Sequence, residues 1–252
     1  MKTLNLSHKI TLIAVLLILS QLPLLAQLKT RNLAELTADK SGWDLVKDWA
    51  VSSKNKVEFL PVNKIKADTA LHQLQITTRS PMGAIVYFTG GVIIDNGWLR
   101  ILGSGSDKLN RSIPSWNKGK TFSNFGEQPK LLLVADDVVG GLFAINGGAL
   151  GNDFGKMYYF APESLYWEPL NFTYSDFLDF CFNGNIAKFY ATLRWKGWEK
   201  DIQGVDGNQA FSIYPFLWTK EGKDLNKVSK KAVPVEEVYS LNQDNLKAIS
   251  HN

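Results

Sequence analysis

Hydrophobic residues along the chain fall into two kinds of spacing, which place helices at both ends of a strand-rich middle. Within residues 33–50, Trp43, Val46, Trp49 and Ala50 recur at three- and four-residue intervals, which gathers them on one face and predicts a helix. Pro61 closes a short extended piece, VEFL, and residues 63–74 predict a second helix burying Ile65, Leu71 and Leu74. The run AIVYF at 84–88, bounded by Pro81 and Gly90, reads as a strand. Next, VII at 92–94 and WLRIL at 98–102 flank Asp95, Asn96 and Gly97, a three-residue loop ending in the residue that best tolerates positive φ, and predict a hairpin. Residues 103–130 carry Gly, Ser, Asn, Pro and Lys with little periodicity and read as an extended surface loop. LLLVA at 131–135 and LFAI at 142–145 predict two strands around DDVVGG, and MYYFA at 157–161 and SLYWEPL at 164–170 another pair around Pro162.

The period changes at Thr173. Tyr174, Phe177, Leu178, Cys181 and Phe182 follow the helical series, with Thr173 as N-cap, Asp176 as its partner at the third position and Gly184 as the stop. Ile186, Phe189, Tyr190 and Leu193 repeat the series in a following helix. AFSIYPFLW at 210–218 alternates as a late strand, which Pro215 confines to an edge, and the tail from Val235 predicts a helix ending near Ile249. Strands grouped between helical ends, without βαβ alternation, predict an α+β fold with a mostly antiparallel sheet. There is neither a Pro/Ser-rich linker nor a repeat, so residues 27–252 are expected to form a single domain.

The first 26 residues have a separate logic. Lys2 and Lys9 precede the apolar run at 10–19, Pro23 breaks it, and Ala26 is a small residue before Gln27, the pattern of a secretory signal peptide cleaved after Ala26. The apolar run is about half of the roughly 20 residues a spanning helix needs, so no stable membrane span is expected after cleavage. The mature protein is therefore expected in the periplasm or outside the cell. Removing the leader takes away two lysines and no acid, leaving 26 basic against 24 acidic groups. That balance carries no electrostatic footprint for nucleic acid, and Lys227, Lys230 and Lys231 read as a solvated surface.

Candidate chemistry is limited by residue supply. Of three histidines, His8 leaves with the leader and His251 is penultimate, so His72 stands alone in the body and neither a His/Cys metal site nor a bound cofactor is expected. GSGS at 103–106 lacks the lysine of a phosphate-binding loop and reads as a turn. Cys181, between Phe180 and Phe182 on an apolar helical series, reads as core rather than as a nucleophile served by His72. If the chain is an enzyme, its currency is carboxylates: Asp136 and Glu168 are the candidate acid and base, against the plainer reading of Asp136 and Asp137 as turn residues. Ligand-binding candidates are Arg79 and Arg100, whose guanidinium forks suit carboxylate or phosphate, Trp98 and Trp167 as stacking rings, and Asn146 in the glycine-rich NGGALGNDFG. For the arginines the plainer expectation is solvent exposure on alternating strand positions.

The strings TTRSPMGAIVYFTGG, GWLRILGSG, LLVADDVVGGLFAINGGALG, YYFAPESLYWEPL, LRWKGWE and FSIYPFLWTKEG together resemble a bacterial family known only as a domain of unknown function, over residues 33–241. The order GGLFAINGG, YYFAP, LYWEPL, YSDFLDF in the second half is also similar to the SUKH superfamily of α+β domains, many of them binding modules that include toxin-immunity proteins. The resemblance implies a strand meander followed by an aromatic-faced helix. Taken with the leader, which accounts for export, and with the scarcity of imidazole and thiol, it implies an uncharacterised exported protein that is a non-catalytic binding domain for a protein or carbohydrate ligand. The alternatives are a carbohydrate-active enzyme using paired carboxylates and a SUKH-like immunity protein.

Overall fold

The structure, a computed structural model, describes residues 30–250. The expected leader, with His8, and the penultimate His251 lie outside the described residues. Two short helices lie within residues 33–51, where one was expected: α1 (Leu33–Leu36) and α2 (Trp43–Val51). A capping box between Asn32 and Glu35 starts α1, and the break follows from tertiary bonding, since the Gly42 N–H donates to the Thr78 carbonyl at 2.8 Å. Next come β1 (Val57–Phe59) and α3 (Lys64–Leu74), where the spacing predicts them. Of the three side chains expected to be buried by α3, only Leu71 is fully so: Leu74 is half-buried, and Ile65, in the first turn, faces outward at 78% exposure while Ala67 and Ala70 take the inner face.

The run at 84–88 is not a strand. It is the core of helix α4 (Pro81–Phe88), with Pro81 in the first turn and the Ser80 hydroxyl accepting from the Gly83 N–H at 3.0 Å. Ala84, Ile85 and Val86 are buried, so the helix lacks the polar face that would have marked its period. Close approach is built in at Gly83, where a Cβ would stand 2.0 Å from the Thr77 carbonyl oxygen.

Seven strands follow one another as neighbours in an antiparallel meander: β1, then β2 (Gly91–Ile94), β3 (Leu99–Leu102), β4 (Leu131–Asp137), β5 (Leu142–Asn146), β6 (Met157–Ala161) and β7 (Tyr166–Pro169). Ile94 pairs with Leu99, so the first hairpin turns through four residues, one more than expected, and Asp95, Asn96 and Gly97 all take positive φ. Between β3 and β4 the expected surface loop contains a buried helix, α5 (Ile113–Asn117), opened by Ser112 and Ser115 as a capping box. Asn117 fastens it to the sheet, its amide donating to the Leu133 carbonyl at 2.7 Å and its oxygen accepting from the Leu133 N–H at 2.8 Å.

One sheet face carries Phe59, Phe143 and Tyr159 and packs on α6 (Tyr174–Asn183) and α7 (Ile186–Phe189), with Phe143 to Phe177 at 4.8 Å and Tyr159 to Phe189 at 5.2 Å between ring centres. The cap of α6 is the expected Thr173–Asp176 box, and the helix stops before Gly184. The second helical series is shorter than its spacing predicts, with Tyr190 already the C-cap of α7. After α8 (Trp198–Asp201) the chain forms a separate two-stranded ribbon, β8 (Gln209–Tyr214) with β9 (Ser229–Pro234), and ends in α9 (Val235–Ser250). Pro215 stops β8 at Tyr214, short of the expected residue 218, because proline cannot donate to the ladder. The fold is α+β, as expected, and residues from Arg31 onward belong to one compact unit.

Candidate functional site

Successive strand residues point to opposite faces, and this alternation separates the two adjacent acids at the end of β4. Asp136 lies opposite Arg100 in the β3–β4 register, and Arg100 Nε donates to Asp136 Oδ1 at 2.6 Å. Arg111, from the segment before α5, donates from Nη1 to Asp136 Oδ2 and from Nη2 to the Gly207 carbonyl at 2.7 Å. One carboxylate thus joins two guanidinium groups, with side-chain exposures of 0% for Arg100, 1% for Asp136 and 8% for Arg111. Arg100 is therefore not solvent-facing, as its alternation suggested. Asp136 is strand core rather than a turn residue.

Asp137 faces the helical layer. Its Oδ1 accepts from the Gly141 N–H at 2.7 Å and the Val139 N–H at 3.1 Å, and its Oδ2 from the Tyr159 hydroxyl at 2.8 Å. Burial pushes its carboxyl above the usual range, opposed by these bonds and by the Arg100 charge. Tyr159 and Tyr190 are pushed well up in turn, by burial first and by the Asp137 charge second. Burial likewise raises the Cys181 thiol well above its usual value, so the sulfur sits in the core in its unreactive form.

Above Arg111 the surface opens into a cleft of about 490 Å³. Trp116 forms part of it, with the Arg111 guanidinium 4.5 Å and the Lys120 ammonium 4.1 Å from its ring centre. Lys120 pairs with Glu236 in the first turn of α9 at 3.0 Å, while Asn110, Asn208 and Gln209 supply amide groups. The Asn208 side chain accepts from the Asn110 N–H at 2.7 Å and ties the two walls together. None of these cleft residues was singled out from sequence. Their signal was the pairing of Arg111 with Trp116 across a Ser-x-x-Ser capping pattern, inside a stretch whose polarity reads as loop.

The other expected site residues scatter. Glu168 is exposed on β7, in register with Tyr159, which places it on the face opposite to Asp136 and three strands away. Trp98 is fully buried, its ring 5.4 Å from Tyr190, 5.8 Å from Trp195 and 5.0 Å from Trp198, with Arg194 4.8 Å above it, so it offers no free face for stacking. Trp167 is half-buried on edge strand β7, 5.4 Å from Phe160. Asn146 is buried and folds its own loop, accepting from the Gly148 and Leu150 N–H groups at 2.8 and 3.1 Å and donating to Asp153 Oδ1 at 2.7 Å. Arg79 is exposed just before the cap of α4. Of the surface lysines, Lys230 is half-buried and donates to the Leu225 and Val228 carbonyls at 2.7 and 3.0 Å, and burial lowers its pKa. Among the described residues no group of three His, Cys, Asp or Glu side chains is placed to hold a metal ion, and no helix is long and apolar enough to cross a membrane.

The family model described as protein of unknown function DUF2625 matches residues 33–238, a span that contains the meander, the ion network and the start of α9. The chain belongs to the DUF2625 family. An uncharacterised protein of Haemophilus influenzae is 45% identical over 213 residues, covering 84% of this chain and 93% of that protein. The uncharacterised Escherichia coli protein YbfG is 42% identical over 206 residues, covering 82% and 92%. No solved structure matches the chain. Every residue of the Arg100–Asp136–Arg111 network and of the cleft named above lies inside the span matched by the DUF2625 model.

Proposed function

We propose that this protein is an exported, non-catalytic binding module whose ligand seat is the cleft over Arg111 and Trp116. The observation that carries this reading is the cleft floor: Arg111 is fixed by Asp136 and the Gly207 carbonyl and stacked on Trp116, at the base of a concavity of about 490 Å³. Small-ligand sites have volumes of roughly 300–1,000 Å³, and a rigid floor with polar groups at the rim keeps the ordering cost of binding small. The disposition of Asp136 and Glu168 on opposite sheet faces favours binding over glycoside hydrolysis, which needs two carboxyl groups about 5–9.5 Å apart facing one substrate. The meander leading into the aromatic face of α6 has the order that the SUKH resemblance carries, and it also supports a binding role.

The binding test is a thermal-shift screen of the mature chain against short peptides and oligosaccharides, repeated with Lys120→Glu. Compounds that raise the Tm of the wild type are expected to lose that effect in the variant, and equal shifts in both proteins overturn the assignment. Export is tested by intact-mass measurement on protein taken from the periplasm or medium. The expected species begins at Gln27, whereas retention in the cytosol with Met1 intact overturns the leader assignment.

A further inference from the structure

The cleft does not end at Asp206. That residue also lines a second depression of about 350 Å³, between the β2–β3 turn and residues 202–207. Glu58 and Lys108, an ion pair, line both this second depression and a third of about 500 Å³ at the start of α3. Shared lining residues thus place the three depressions next to one another in series, the disposition of an elongated groove. We propose that this groove binds an extended, charge-balanced polypeptide segment of another protein, an inference that rests on the binding reading above and specifies its ligand.

Charge sets the first limit on the occupant. The lining carries as many carboxylates as cations, with Lys108 paired to Glu58 and Lys120 to Glu236, so it offers no net field to a polyanion or a polycation. Aromatic surface sets the second. Sugars stack on open ring faces, but Trp116, the aromatic residue of the lining, is 3% exposed and lies under Arg111 and Lys120.

What the groove does present is amide chemistry along its whole length. Asn63 stands at one end, Asn96 and Gln203 in the centre, and Asn110 and Asn208 at the other end. The side-chain oxygens of Asn63, Asn96 and Asn208 already accept from the Lys66 N–H, from Lys56 and from the Asn110 N–H, so these three offer their amide NH2 groups as donors. At Gly97 and Gly204 nothing lies within 4 Å of where a Cβ would stand, which leaves main chain open to the central depression. An extended polypeptide brings one donor and one acceptor per residue and must pair them, and its alternate side chains need apolar seats. Such seats occur in each depression: Val62 at one end, Val205 in the centre and the exposed Pro234 at the other.

The experiment selects ligands for the mature chain from a displayed library of random dodecapeptides and, in parallel, from an oligosaccharide array, with affinities read by fluorescence anisotropy. Three variants probe the three depressions: Lys120→Glu, Gly204→Trp and Val62→Trp. Gly204 has ordinary backbone and open space above it, and Val62 is 44% exposed, so both tryptophans can be accommodated. Melting curves identify any variant that does not fold, and either tryptophan suffices to decide the outcome. Selected peptides are expected to lose tenfold or more in affinity with each variant. Peptides sensitive to Lys120→Glu alone overturn the extended groove and leave the single-cleft reading standing. Enrichment of oligosaccharides in place of peptides, or of no peptide, overturns the ligand class. Peptides indifferent to all three variants overturn both readings.

Discussion

Asp136 and Asp137 are chemically identical neighbours with opposite electrostatic positions. Asp136 is held between two guanidinium groups in a dry layer, where removing one member of an ion cluster leaves charge without a partner. Asp136→Asn is expected to lower stability by about 3–5 kcal/mol, read as a lower urea midpoint with an unchanged slope. Among the described residues Asp137 is bonded by two backbone N–H groups and the Tyr159 hydroxyl rather than by a cation, and burial raises its folded-state value above the ordinary 3.8. The folded chain therefore holds that proton more tightly than the unfolded chain, and stability falls as pH rises from 3.8 through the raised value. An amide at this position keeps the acceptor for both N–H groups and does not titrate. Relative to Asp137→Asn, the wild type is expected to gain stability as pH is lowered from neutrality toward 3.8, measured by urea midpoints across that range. A difference that stays constant over the range would refute the role assigned to burial.

Helices with a polar face were legible from spacing, and the helix buried on every side was not, whereas the short buried strands β2, β3 and β6 were marked by the turn residues that flank them. Helix α6 shows its cap, its apolar series and its stop, and each stands where the spacing predicts. Helix α4 hides its period because its neighbours cover several sides, and a short apolar run then reads equally as strand or helix. The opposite error arose at 103–130. There the polar composition was real, but Asn117 forms buried hydrogen bonds with Leu133 that substitute for a missing strand neighbour. Helix α5 depends on its cap, since five residues form a costly nucleus for little propagation. Ser112→Ala is expected to cost about 1 kcal/mol and to expose residues 118–126 to limited proteolysis before the rest of the chain. Uniform protection of that segment in the variant would show that packing alone holds α5.

Across the described residues, the seven-stranded sheet has the simplest order available, each strand beside its predecessor, and its hairpins are short-range features a sequence displays, while β1–β2 and β3–β4 pair across inserted helices. The cleft is of the other kind, assembled from residues 110–120, 206–209 and the first turn of α9, segments far apart in the chain. By itself the sequence determined the α+β class, the capped helix α6, the burial of Cys181 and the scarcity of His and Cys, because each follows from local spacing or from residue supply, and the family was legible as a resemblance of long strings. Tertiary structure alone decided that Arg100 and Asp136 face one another in the core, that Trp98 is enclosed by other rings and that Arg111 floors a cleft. Those outcomes depend on strand register and on which distant segment covers each face, and neither is encoded in the neighbours a residue has along the chain.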